Sequence, residues 1–282
     1  MPGTLSPSTR VGVYVDAAYM YRNGGQRMRY DVLREFAVRD NAEPVRLNAY
    51  VITDTERTET DIAYRDGVSN FHSALRDIGY KLLIKELSWY QDETGNRYGK
   101  ANADLDLAVD ALLQSDRLDR VLLATGDGDF VRLVNALQNK GCRVEVVGLN
   151  NVSSALRQEA DMFISGFLIP NMIPMEPNLN YEPDQQPEWS QTGSRVRGWC
   201  YWHHEDQSYG FLRYIERIES GLWLTDTRHP ESPYATAFFH DSSLPPEVPA
   251  NILPNRRYIL EFELTESDRG IQAIDIELAS KL

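Results

Sequence analysis

The chain has 282 residues, of which 42% are hydrophobic and 25% charged, and its net charge is −13. That length accommodates two domains, and that composition excludes wholesale disorder, collagen-like repeats and a small disulfide scaffold. The acidity argues against nonspecific coating of nucleic acid, while leaving room for a carboxylate site that holds a divalent cation.

The N-terminal stretch Met1-Pro-Gly-Thr-Leu-Ser-Pro7 lacks the charged start and apolar core of a signal peptide. Strand-like and helix-like patterns then alternate. Short apolar runs at Val11–Val15, Arg46–Ile52, Tyr80–Ile84, Arg120–Thr125 and Arg143–Gly148 read as strands. Between them, Tyr30–Arg39, Thr58–Ile78, Asp104–Leu113 and Asp129–Leu137 carry apolar residues at helical spacing. Alternation of this kind implies an α/β fold with a parallel sheet, doubly wound by helices on both faces. The longest apolar run, Phe163 to Pro174, is broken by Ser165, Gly166, Pro170 and Asn171. It falls short of the ~20 residues of a membrane span, so no membrane association is expected.

From Pro174 to Gly193 prolines, acids and amides replace the apolar periodicity, which reads as an extended linker. The expected division is therefore residues 1–174, a linker at 175–193, and residues 194–282. Beyond the linker, Arg197–Trp202, Tyr209–Tyr214, Leu222–Thr225, Ala237–His240, Tyr258–Leu264 and Ile271–Ile276 are short and rich in aromatic and β-branched residues. They predict a small all-β barrel or sandwich. Residues 1–175, 176–193 and 194–282 carry net charges of −4, −4 and −5, so no region is a basic patch. The two cysteines, Cys142 and Cys200, fit a reduced, cytoplasmic protein without a disulfide framework.

The chemistry points to acids. Asp16 follows the first strand, Asp127 and Asp129 follow the Arg120–Thr125 strand, and Asp104 begins a helix. In an open α/β sheet ligands bind beyond the carboxyl ends of the strands, where these four carboxylates could converge. Oxygen donors of this kind suit Mg²⁺ or Mn²⁺. Taken singly, Asp104 also reads as a helix cap and Asp127 as a turn residue. Lys100, just before the acidic helix, reads as a surface lysine with a supporting contact to phosphate as the alternative. No Ser–His or Cys–His arrangement competes, and His72 lies on an apolar helix face. An aspartyl-phosphatase pattern would need a second Asp at position 18, which is Ala18.

These residues resemble the NYN family, LabA-like branch, within the PIN-like nuclease superfamily. The resemblance covers roughly residues 10–168. It rests on Val11-Gly-Val-Tyr-Val-Asp16, on Lys100, Asp104 and Leu107-Ala-Val-Asp110, on Thr125-Gly-Asp-Gly-Asp-Phe130 with Leu133, and on Ser154-x-Leu156 with Ala160-Asp-x-Phe163. It implies a PIN-like fold and a metal-dependent ribonuclease, with Asp16, Asp104, Asp127 and Asp129 as the catalytic and metal-site acids and Asp110 in support. One position departs: Tyr19 stands where the family commonly has asparagine.

The C-terminal region resembles the cold-shock, OB-fold family over residues 196–278. Gly198-Trp-Cys-Tyr-Trp-His-His204, Tyr209-Gly-Phe-Leu212 and Ala237-Phe-Phe-His-Asp-Ser-Ser-Leu244 lie over its three strand motifs, with a longer insertion from Glu216 to Thr236. The resemblance implies a base-stacking platform of Trp202, Tyr209, Phe211, Phe238 and His240. Here too the sequence departs, with His203 and Asp241 in place of phenylalanines and Gln207 in place of a lysine.

Two functions follow. One is a metal-dependent ribonuclease, an endoribonuclease, that cleaves single-stranded RNA presented by the barrel, with DNA left open as a substrate. The other is a catalytically weak RNA-binding or scaffold protein, supported by Tyr19 and the acidic surface. A second copy of the chain, or another protein, is a partner class the sequence leaves open.

Overall fold

A computed structural model describes residues 8–92, 94–177, 182, 185–268 and 270–282. The chain divides into two compact units, one of residues 1–26 and 33–164, the other of residues 27–32 and 165–282. The linker expected over 175–193 falls in part on residues 178–181, 183 and 184, outside the described residues.

The first unit is built on a six-stranded sheet. Its strands are β1 (Arg10–Asp16), β2 (Glu43–Thr53), β3 (Lys81–Glu86), β6 (Arg120–Ala124), β7 (Arg143–Gly148) and β8 (Met162–Ser165), in the order β3-β2-β1-β6-β7-β8. β4 (Ser88–Gln91) and β5 (Arg97–Lys100) form a separate hairpin. The pairs β1/β2, β1/β6, β2/β3 and β6/β7 are all parallel. β6 is buried along its whole length and β1 along all but its first residue, as strands covered on both faces must be. Chain order runs outward from β1 through β2 to β3, then resumes on the other side of β1 at β6. The reversal falls between β1 and β6, where Val15 is in register with Ala124.

The helices are α1 (Ala17–Arg22), α2 (Tyr30–Ala37), α3 (Thr55–Thr60), α4 (Ile62–Asp77), α5 (Ala103–Gln114), α6 (Val131–Asn139) and α7 (Ser154–Glu159). Leu107 and Ala111 of α5 and Val134 and Leu137 of α6 pack with Tyr14, Val121, Leu123, Val144 and Val146 of the sheet. At the other end of the strands, Arg39 donates from Nη2 to both oxygens of fully buried Glu145, at 2.8 and 2.7 Å, fixing the segment after α2 to β7.

The single helix expected over Thr58–Ile78 is two. Asp61 sits between them in extended backbone, φ −117° and ψ 100°, and its side chain accepts the N–H of Tyr64. A cap in that conformation stops one helix and starts the next.

The second unit contains β9 (Arg195–His204), β10 (Tyr209–Ile215), β11 (Tyr234–His240), β12 (Tyr258–Ser267) and β13 (Gly270–Lys281). They close into a barrel in the order β10-β11-β13-β12-β9. β11 meets β13 in parallel at Phe238 and Gln272, and the other pairings are antiparallel. A closed five-stranded barrel of this connectivity is OB-like. Its interior holds Val196, Cys200, Leu212, Tyr214, Ala237, Phe239, Leu260 and Phe262. Trp189 packs against that core and donates its indole N–H to Ile215 O at 2.8 Å.

Leu222–Thr225, expected as a strand, is a turn in the connection between β10 and β11. Leu222 is buried there and its carbonyl accepts the Tyr234 hydroxyl at 2.8 Å. Leu222 alone of this run is buried, and Trp223 stays 72% exposed instead of joining the sheet.

Candidate functional site

Asp16 ends β1 and caps α1. Its Oδ1 accepts the backbone N–H of Tyr19 at 2.9 Å, and its Oδ2 accepts the hydroxyl of Thr125 at 3.3 Å. The residue is 5% exposed. Burial pushes its carboxyl up to about 6; the charge of Asp104 acts in the same direction, against the two hydrogen bonds and Arg22.

Asp104 is the second residue of α5, where the helix N-terminus favours negative charge. Although the residue is largely exposed, its pKa is raised, first by partial desolvation of its carboxyl and then by Asp127, with a smaller push from Asp129 and opposition from Arg22. Asp104 is thus the electrostatic centre of the group, since Asp16 responds to it and it responds to Asp127 and Asp129.

Asp127 and Asp129 follow β6. Asp127 Oδ1 accepts the N–H of Asp129 at 3.0 Å, so the turn-residue reading holds for Asp127. The N–H of Asp127 donates to Thr125 Oγ1 at 3.3 Å. Asp127 is half-buried and Asp129 exposed. Asp104 is also exposed and is not the cap of its helix, a position taken by Asn102. All four acids lie at the carboxyl edge or at a helix start beside the β1/β6 reversal, the position where α/β sheets build sites.

Tyr19 lies inside this group. Its pKa is raised, first by burial and then by the charges of Asp16 and Asp127. Its hydroxyl donates to Asn150 O at 2.6 Å, and its ring occupies the space where a side chain at position 126 would stand. Gly126 is needed for that close approach.

Asp110 faces elsewhere on α5. Its Oδ2 accepts the Tyr50 hydroxyl at 2.9 Å, and Asn48 Nδ2 donates to the same hydroxyl oxygen at 3.3 Å. It anchors α5 to β2. Asp106 pairs with Lys85 at 2.6 Å. The Lys100 side chain lies outside the described residues. Arg22 was not singled out by the sequence, because nothing in its spacing marks it. Its charge acts on both Asp16 and Asp104.

The donor set suits a hard divalent cation, since it is all carboxylate and the raised pKa values of Asp16 and Asp104 mark a crowding of negative charge that a cation would relieve. Among the described residues, no three His, Cys, Asp or Glu side chains stand close enough to hold an ion without adjustment.

On the barrel, strand register sorts the aromatic residues into rows. Trp202, Phe211 and Phe238 are cross-strand partners over β9, β10 and β11, and His204, Tyr209 and His240 form the adjoining row. Ring centroids are 5.8 Å apart for Trp202–Phe211, 5.9 Å for Phe211–Phe238, 5.5 Å for Trp202–Tyr209 and 5.6 Å for Tyr209–Phe238. Trp202 is 40% exposed and His240 is exposed. His204, missed in the sequence, stacks on Tyr209 at 5.7 Å and 24°. Alternation from Trp202 along β9 was the signal that could have found it. Two of the three departures from the cold-shock pattern meet: His203 Nε2 lies 2.8 Å from Asp241 Oδ1, and the His203 ring stacks on Phe239.

The chain also matches known proteins over a little more than half of its length. A cyanobacterial relative, the low amplitude and bright protein LabA of Synechococcus elongatus, is 31% identical over 163 residues, 55% of this chain and 83% of the relative. A crystal structure of a protein of unknown function from Vibrio parahaemolyticus superimposes with a TM-score of 0.46 at 24% identity, covering 58% of this chain and 96% of that one. The NYN domain matches residues 10–173, and the chain belongs to the NYN family, related to the PIN-like nucleases.

Proposed function

We propose that the protein is a metal-dependent endoribonuclease acting on single-stranded RNA, with the barrel helping to hold the strand. The observation that carries the reading is the placement of Asp16, Asp127 and Asp129 at the β1/β6 reversal, with Asp16 and Asp127 joined through Thr125 and with Asp104 in the first turn of α5. These four residues would hold Mg²⁺ or Mn²⁺. A bound ion of this kind supplies an activated water and neutralises charge on a phosphodiester.

The chain's own residues prepare that site. Thr125 and the Tyr19 N–H fix both oxygens of Asp16. The N–H of Asp129 fixes Asp127. Arg22, whose charge acts on Asp16 and Asp104, would draw a phosphate toward the acids and offset their repulsion of it. Asp110 holds α5, and with it Asp104, against β2. The two aromatic rows offer faces on which successive bases stack. We place the activity in the cytoplasm, with DNA as the alternative strand.

The scaffold reading rests on Tyr19. Its buried phenol and its bond to Asn150 take the place of an amide that could meet water or metal. Labelled single-stranded RNA incubated with Mn²⁺ separates the two. Cleavage by the wild type and its loss in Asp104→Asn supports the nuclease; binding without cleavage supports the scaffold.

A further inference from the structure

The aromatic rows on the barrel do not end with Trp202, Phe211 and Phe238. The next row on the same outer face is Trp199, Arg213 and Thr236, again cross-strand partners over β9, β10 and β11. A bulge in β9 between these rows adds Tyr201, whose ring lies 6.4 Å from Phe211 and 4.0 Å beneath the Arg213 guanidinium carbon. The rows thus lead from the half-exposed rings to a largely covered cation beside Trp199.

Arg213 is 9% exposed, yet its guanidinium makes no hydrogen bond or ion pair with any described residue, and its Nε is fully buried without a partner. The indole N–H of Trp199 beside it is likewise buried and unpartnered. A charge in that position is costly unless something balances it. The nearest charges do not. Arg256, exposed and free of any described ion pair, sits with its guanidinium 5.9 Å from the Trp199 ring, and its charge opposes that of Arg213. Asp226 acts on Arg213 from the inserted loop but is held by two nitrogens of Arg228. Two arginines that repel each other, without an acid between them, leave positive charge that no described residue balances.

We propose that Trp199, Arg213 and Arg256 form a phosphate-binding step at the end of the aromatic rows, which receives a backbone phosphate of the single strand whose bases stack on Trp202, Phe211 and Phe238. The cation that the cold-shock pattern would place near position 207 is supplied instead from β10 and from the segment before β12. This step rests on the reading that the barrel holds a single strand, and it is independent of cleavage at the acids.

The test is binding of a labelled oligouridine of about eight nucleotides, within the span of one such barrel, to the full chain in EDTA across a salt series. Arg213→Met should weaken binding about tenfold, the size of one charged hydrogen bond. Its slope of log affinity against log salt should flatten by about 0.7, one phosphate contact. Arg256→Gln, at an exposed position where folding is not at stake, should weaken binding about threefold and flatten the slope in the same sense. Arg217→Gln, whose guanidinium is taken by Glu216 and Glu219, should leave both unchanged. On a methylphosphonate strand, which keeps the bases and removes the charge, wild type and Arg213→Met should bind alike. If the wild type binds oligouridine and both arginine variants keep its affinity and slope, the phosphate step is wrong and the stacking platform stands. If the wild type binds no strand at all, the platform falls and the phosphate step falls with it.

Discussion

Asp16 and Asp127 are joined through one buried hydroxyl: Thr125 Oγ1 donates to Asp16 Oδ2 at 3.3 Å and accepts the N–H of Asp127 at 3.3 Å. The two acids come from different strands, β1 and the turn after β6, so this hydroxyl sets one against the other across the reversal of the sheet. Thr125→Val keeps the shape and removes both bonds. It should cost about 1–3 kcal/mol of stability and lower kcat on RNA, while Thr125→Ser restores both. Urea unfolding and single-turnover cleavage read the two effects. A valine variant with wild-type kcat would show that the link has no part in the site.

Burial holds the Asp16 carboxyl up at about 6, against 3.8 when free. A carboxyl raised on folding favours the folded state while protonated, so that contribution is complete below about 3.8 and is lost as the pH rises through about 6. Metal-free Asp16→Asn lacks the ionisation and should be the more stable protein above that window. The gap should approach about 3 kcal/mol, the free-energy equivalent of the shift. Saturating Mn²⁺ should close the gap by stabilising the wild type alone. Thermal melts of both proteins from pH 4 to pH 8, with and without Mn²⁺, check the sign.

The aromatic rows should act on binding and leave chemistry intact. Trp202→Ala removes a ring that is 40% exposed and touches Phe211, Tyr209 and His204. It should cost about 1–3 kcal/mol of strand affinity, seen as a raised KM with kcat preserved at saturating RNA. Equal KM in the variant and the wild type would remove Trp202 from the platform.

Tyr19→Asn tests the departure from the family pattern. The variant loses the bond to Asn150 and opens space above Gly126, so it should be less stable, by about 1–3 kcal/mol for the unpaired carbonyl and lost packing. If the tyrosine restrains catalysis, kcat with Mn²⁺ should rise despite that loss. A fall in kcat would show instead that the tyrosine supports the acids.

The sequence made the central strands and their acids legible for a physical reason. β1 and β6 are buried on both sides, so they read as short apolar runs, and a charged residue at their ends stands out. Where the periodicity ran on, the boundary did not. Ile62, Tyr64 and Val68 continue the helical spacing past Thr58, and only the extended backbone of Asp61 breaks it. β8 is a four-residue strand at the edge of the sheet, too short to show a pattern. Leu222–Thr225 has the composition of a strand, but it is a turn in which Leu222 is buried and Trp223 exposed. Trp202, Tyr209, Phe211, Phe238 and His240 could be named from motif positions. His204 joined them only through register, and Arg213 only through its missing partner. Arg22 entered through its field, which no spacing reveals.

The most direct measurement is one assay that reads binding and cleavage of labelled single-stranded RNA by the wild type and by Asp127→Asn, with Mn²⁺ and with EDTA. The wild type should cleave with Mn²⁺ and not with EDTA, and Asp127→Asn should bind the strand with unchanged affinity and leave it whole. Cleavage by Asp127→Asn at the wild-type rate, or a wild type that binds RNA and never cleaves it with either Mg²⁺ or Mn²⁺, would contradict the nuclease reading.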